Sequence, residues 1–248
     1  MSETRTIFRT RMLAEIVVFV AASTALSYVK VFSLPQGGSV TAGSMVPVLW
    51  LSLRRGPVTG IFACTLYGIV QLVVDPFVYH PVQVLLDYPI AFGALGLAGF
   101  FQRRPFLRRA TPVAFDRLFA LLFCAGSFTL LGYSLTRLRL SETVFFAWIF
   151  AFSFIFLLLV ESRKRIEEIE GERRHITPAL VGVTIGILGR FVAHFISGVV
   201  FFGPYAPEGM NPIVYAAIYN GAYIVPELCV SAYLIYLLVR SGMIGIYK

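Results

Sequence analysis

HPVQVLLDYPIAFGALGLAGFF (80–101) contains one formally charged residue, Asp87. A bilayer core accommodates about 20 apolar residues of helix, so this stretch reads as a membrane crossing that carries one carboxylate into lipid. Similar runs recur along the chain. Apolar stretches and their punctuation place helices near 9–33, 43–54, 57–74, 80–101, 113–136, 142–162, 177–202 and 211–239. The second and third are short and are joined by Arg54, Arg55, Gly56 and Pro57. Pro57 suits a first helical turn, where its missing N–H costs nothing, and Gly56 suits the reversal.

Composition agrees with this reading. Of 248 residues 58% are hydrophobic and 14% charged, and mean hydropathy is +0.80, whereas soluble domains run near 25% charged. The fold class is therefore an all-α integral membrane protein. The net charge of +8 does not indicate nucleic acid, because the cations fall in short segments between apolar spans and form no single stripe. Cys64, Cys124 and Cys229 lie inside apolar runs with no Cys-x-x-Cys spacing, so they read as small buried hydrophobes, and neither a metal site nor a cofactor is expected. Arg5, Arg9 and Arg11 ahead of an apolar run faintly suggest a signal peptide, but Glu15 and the length of the run favour a first helix.

Cation placement sets the orientation. With both termini in the cytoplasm of a multi-pass plasma-membrane protein, Arg54/Arg55, Arg103/Arg104/Arg108/Arg109, RKRIEEIEGERRH (163–175) and Arg240/Lys248 share the inner side. The loops DPFVYHP (75–81) and GPYAPEGMNP (203–212) contain no Lys or Arg; only Lys30, Arg137 and Arg139 weaken the asymmetry.

Polar groups inside spans are costly and mark candidate sites. At about 1.5 Å per residue, Asp87 lies roughly 10 Å below the outer end of its helix, and His194 and Asn220 roughly 13 Å below theirs. Three helices thus bring a carboxylate, an imidazole and a carboxamide to one level, with Tyr88 beside Asp87 and Phe202 and Tyr215 near the outer mouth. Such a set suits a flat, heteroaromatic, cationic ligand arriving from outside. Each residue also has a plainer reading. Asp87 could pair with Arg190, one turn from His194, which itself reads as a structural counter-charge, or could hydrogen-bond a neighbouring helix. His194 and Asn220 could tie helices together. Glu227 could satisfy backbone freed by Pro226, and Phe202 and Tyr215 could belong to an interfacial belt. The convergence carries the argument. GGSVTAGS (37–44) lacks the Lys-Ser/Thr of a phosphate loop and reads as an outer loop able to act as a lid. Ala21 and Ala25 form a small-xxx-small face on helix one, for internal packing by default or for a partner subunit.

Two blocks, GGSVTAGSMVPVLWLSLRRGPVTGI through LLDYPIAFGALGLAGFF (37–101) and GRFVAHFISGVVFF through VYAAIYNGAYIVPE (189–227), resemble the thiamin-specific S-components of energy-coupling factor transporters. The LRRG turn, the acidic-Tyr pair, the His two turns before an aromatic residue, and Tyr-x4-Asn carry the likeness jointly. The resemblance implies a six-helix bundle that binds thiamin from outside and works with a transmembrane coupling subunit and two ATPases. It implies that Asp87, His194 and Asn220 hold the aminopyrimidine, that Tyr88 and Tyr215 line the site, and that Phe202 stacks on the thiazolium where relatives can carry Trp. It makes Ala21 and Ala25 candidates for coupling-subunit contact. Residues 1–101 would then hold the first four helices and 176–248 the last two. Between them, 102–175 would hold an inserted pair with basic cytoplasmic ends, about eight helices in all.

No nucleotide motif is present in the sequence, so the expected mechanism is capture, occlusion by the 34–44 loop, and reorientation driven by partners. Two alternatives stand beside it: an S-component for another vitamin or a thiamin precursor, and an intramembrane enzyme with His194 as general base and Asp87 as its orienter.

Overall fold

The computed structural model describes residues 2–101 and 173–240, and side-chain surroundings over 10–101 and 178–239. The expected helices at 113–136 and 142–162 and the basic cluster at 103–109 lie outside the described residues, as does most of the 163–175 cluster. The described chain is mostly helical: α1 (Ser2–Ser27), α2 (Val46–Arg55), α3 (Pro57–Val74), α4 (Pro81–Phe101), α5 (Arg173–Phe201) and α6 (Pro212–Arg240). All but α2 are long and apolar enough to cross a membrane. At about 1.5 Å per residue α2 spans only about half a bilayer core.

A β-hairpin precedes α2 and corrects the expected first helix at 9–33. The helix stops at Ser27; β1 (Lys30–Ser33) then pairs antiparallel with β2 (Ser39–Thr41), Phe32 opposite Val40 and Ser33 opposite Ser39. The apolar run continues past Ser27, but with β-branched Val29 and Val31 in alternation, which favours strand. Leu34 N–H then bonds to Gly38 C=O at 2.6 Å, closing the turn. Gly43 adopts φ +93° where the chain swings from β2 into α2.

The α2–α3 junction is as expected, with Gly56 at φ +89° and Pro57 in the first turn of α3. Glu15 of α1 accepts Arg55 Nε at 2.7 Å and Arg54 at 3.3 Å, fixing α1 to this junction. Glycines then let α3, α4 and α5 approach closely. A Cβ on Gly96 would stand 2.2 Å from the Ile61 nitrogen, and one on Gly186 would stand 2.8 Å from the Leu95 carbonyl oxygen. Small residues permit such backbone contact between membrane helices.

The described turns of α4 are not uniform: α-helical at Pro81–Leu85, π-helical at Leu86–Ile90, α-helical at Ala91–Ala94 and 3₁₀ at Leu95–Phe101. Pro89 lies inside the π segment. Proline lacks an N–H and its ring clashes with the carbonyl four residues back, so a widened turn relieves both problems. Asp87 and Tyr88 project from this turn. The segments after α1, α3 and α5 and the starts of α4 and α6 meet at one end of the bundle, where Lys30 pairs with Asp75 and Phe77 lies 5.9 Å from Phe202.

Candidate ligand cavity between the hairpin and one end of the helix bundle

One cavity is lined by Asp87, Tyr88, Arg190, His194, Phe202, Tyr215, Asn220 and Glu227 together. All eight in-span residues read from the sequence as polar or aromatic candidates therefore share a single space, roofed by Gln36, Gly37 and Gly38 of the hairpin.

Asp87 is one of its lining residues. Gln83, one helical turn earlier, donates Nε2 to Asp87 Oδ2 at 2.6 Å, and His194 Nδ1 lies 3.0 Å from Oδ1. Gln83 also donates to Phe77 C=O and accepts from Tyr79 N–H, binding the 75–80 loop to the same carboxylate. The imidazole roles follow from its other partner. Arg190 Nε lies 3.2 Å from His194 Nε2, and a guanidinium only donates. Nε2 is therefore the acceptor, and Nδ1–H is the donor to Asp87. Of the plainer readings of Asp87, the hydrogen bond to a neighbouring helix is present, made with His194 of α5, and Arg190 is reached through that imidazole rather than directly. Arg190 is additionally packed 4.3 Å above the Phe92 ring and against Met45 Sδ.

Asn220 joins α6 to α5. Its Nδ2 donates to Ala216 C=O at 2.9 Å and to His194 C=O at 3.3 Å, and its Oδ1 accepts from Tyr223 Oη at 2.8 Å. The Tyr88 hydroxyl donates to Asp75 C=O and accepts from Phe77 N–H, so its ring, not its hydroxyl, is offered to the cavity. Phe202 is surrounded by Phe77, Tyr79 and Tyr205 at centroid distances of 5.9, 5.9 and 6.1 Å, an aromatic mouth richer than the two rings read from the sequence. Tyr215 is buried and 5.8 Å from Tyr219.

Two plainer readings are corrected. Glu227 does not serve the backbone around Pro226: its Oε1 accepts from Thr41 N–H at 2.5 Å and Thr41 Oγ1 at 2.7 Å, because α6 turns that face toward the hairpin. Among the described residues Ala21 and Ala25 make no internal packing face, since both are exposed while Ser23 and Ser27 face the bundle. Sequence reasoning missed Gln83, Tyr219 and Tyr223. A signal existed for each: Gln83 stands four residues before Asp87, and Tyr215, Tyr219 and Tyr223 repeat at a helical interval of four.

Chemically, the cavity offers a carboxylate with lone pairs left over, aromatic faces at its mouth, and a neutral imidazole whose two nitrogens are both engaged. In this arrangement the His194 Nε2 lone pair is taken by Arg190 and its Nδ1–H by Asp87.

Comparison with known proteins agrees. The family model for "Thiamine transporter protein (Thia_YuaJ)" matches residues 13–244. The chain belongs to this thiamine transporter family. Thiamine transporter ThiT of Bacillus subtilis (strain 168) is 31% identical over 233 residues, covering 93% of this chain and 91% of that one. ThiT of Lacticaseibacillus paracasei is 27% identical over 218 residues, covering 85% and 77%. A solved structure of ThiT from Listeria monocytogenes superposes with a TM-score of 0.63 at 19% identity, covering 95% of this chain and 96% of that one; at that identity it speaks for the fold. The chain is thus a membrane protein of a transporter family, which supersedes the enzyme alternative.

Proposed function

We propose that this chain captures thiamin from outside the cell as the substrate-binding subunit of an energy-coupling factor transporter. The observation that carries the reading is the meeting of Asp87, His194 and Asn220 from three helices beneath an aromatic mouth, in a chain whose relatives are named thiamine transporters. Asp87 accepts the exocyclic amine of the aminopyrimidine, Asn220 and His194 hold that wall in place, and Phe202 with Tyr215 covers the thiazolium. A cation over an aromatic face is worth about 0.5–2 kcal/mol. Phe202→Ala therefore weakens thiamin binding about 2- to 30-fold with an unchanged melting temperature, read by calorimetric titration. Unchanged affinity would remove Phe202 from the site.

The remaining assignments complete the proposal. In our reading the 102–175 insert supplies two further helices, for eight in all with both termini cytoplasmic, the hairpin and the short α2 together counting as one passage through the bilayer. The Arg-rich α2–α3 junction sits on that inner side. Ala21 and Ala25, exposed on α1, form a close-approach surface for the transmembrane coupling subunit, which works with two ATPases. Purified chain in liposomes binds thiamin stoichiometrically but does not concentrate it when ATP is supplied, as followed with labelled thiamin. ATP-driven accumulation by this chain alone would overturn the division of labour, and absence of thiamin binding would overturn the ligand.

A further inference from the structure

The hairpin is attached to α6 at three successive levels on one face, at Tyr219, Tyr223 and Glu227. Residues four apart on a helix lie one above the other. At the outer level Gln36 N–H donates to Tyr219 Oη at 2.9 Å. In the middle Gly38 lies flat on the Tyr223 ring, where a Cβ would come within 2.6 Å of the ring edge. At the inner level Thr41 gives both its N–H and its hydroxyl to one oxygen of Glu227. The three levels differ in kind. The first two are a single hydrogen bond and a packing contact, whereas the third is a pair of hydrogen bonds converging on one dry oxygen: Glu227 is 1% exposed, with Thr41 and Ser44 buried beside it. Away from water such hydrogen bonds lack a competing partner. The second Glu227 oxygen is inaccessible and makes no hydrogen bond among the described residues, so the hydrogen bonding of the carboxyl group rests on Oε1 and Thr41.

We propose that Glu227 is a positioning residue: it anchors the inner end of the hairpin to α6, so that the hairpin opens from its Gln36 tip while Thr41 stays fixed, and thereby sets how long thiamin remains enclosed. This rests on the reading of the hairpin as the lid over a thiamin site. The middle level connects the lid to the polar wall, because the Tyr223 hydroxyl bonds to Asn220 Oδ1 and its ring stands edge-on to His194, 6.0 Å between centroids at 75°. Seating of Gly38 on Tyr223 is thus mechanically joined to the helix wall that faces the ligand.

Stopped-flow fluorescence with thiamin tests the anchor, alongside hydrogen exchange at the Thr41 amide measured without added ligand. Glu227→Ala is expected to raise the thiamin dissociation rate at least 10-fold, with a smaller change in association, and to unprotect the Thr41 amide. Glu227→Gln retains the accepting oxygen and is expected to remain within about 3-fold of wild type in both readouts. Thr41→Val keeps the backbone bond and loses the hydroxyl one, giving an intermediate rate; it serves if Glu227→Ala does not fold. Unchanged dissociation and unchanged Thr41 protection in Glu227→Ala would overturn the proposal. So would a Glu227→Gln as fast as Glu227→Ala, which would make charge, not anchoring, the operative property. If folded Thr41→Val dissociates no faster than Glu227→Gln, the anchor also fails. Should wild type bind no thiamin, the ligand assignment falls, while Thr41 exchange in Glu227→Ala against Glu227→Gln still decides whether the anchor exists.

Discussion

Asp87→Asn lowers thiamin affinity roughly 10- to 150-fold in a protein that still folds. A hydrogen bond to a charged group is worth about 1.5–3 kcal/mol, which converts to that range. The geometry adds a second reason. Both carboxylate oxygens already accept, Oδ2 from Gln83 and Oδ1 from His194. An amide in their place must point its NH₂ at one of these donors, so either Gln83 rotates away or His194 takes its other tautomer and confronts the Arg190 N–H. The variant thus loses the charge that draws a cationic ligand and disturbs the relay behind it. Calorimetric titration gives the affinity and a melting curve controls for folding. Wild-type affinity in the folded variant would remove Asp87 from the ligand.

Gly96→Val is expected to prevent assembly of the bundle altogether. The atoms a Cβ would meet are the Ile61 nitrogen at 2.2 Å, the Ile61 Cα at 2.4 Å and the Gly60 carbonyl carbon at 2.6 Å, all backbone and none able to turn aside. Relief requires α3 and α4 to separate by more than an ångström, while α5 is held just as closely on the other side, at Leu95. Ordinary overpacking costs about 1–3 kcal/mol where side chains can yield; here they cannot. Detergent-solubilised variant should give no monodisperse peak by size exclusion. A peak with wild-type melting temperature would show that the α3–α4 contact is looser than described.

Among the described residues the spans after α1 were legible. Pro57, Pro81 and Pro212 mark helix starts, and apolar runs place the other ends of these spans to within a few residues. The hairpin was hidden because Val29 and Val31 extend the apolar run of α1, and hydropathy does not distinguish a strand from the end of a helix. Equal depth on three helices was enough to bring Asp87, His194 and Asn220 together, since rise per residue is a property of helices in general. Their partners were not legible. That His194 stands between Asp87 and Arg190, or that Glu227 faces Thr41 across 186 positions, depends on helix rotation, which periodicity leaves open when nearly every residue is apolar.

The π turn at Leu86–Ile90 has a consequence for how this site can vary over evolutionary time. Such a turn holds one more residue than an α turn, and one residue corresponds to about 100° of rotation about the axis. The inner half of α4 is committed to its glycine contacts with α3 and α5, so its angular setting is fixed. The extra residue works as a coupling joint that lets the outer half, with its carboxylate, take an independent bearing. Deleting one residue from 86–90 would restore a regular helix at the cost of swinging Asp87 away from His194 by about a quarter turn. Lengthening the side chain at that position, by contrast, extends its reach without changing the bearing, so substitution is the tolerated route to a differently shaped ligand and deletion is not.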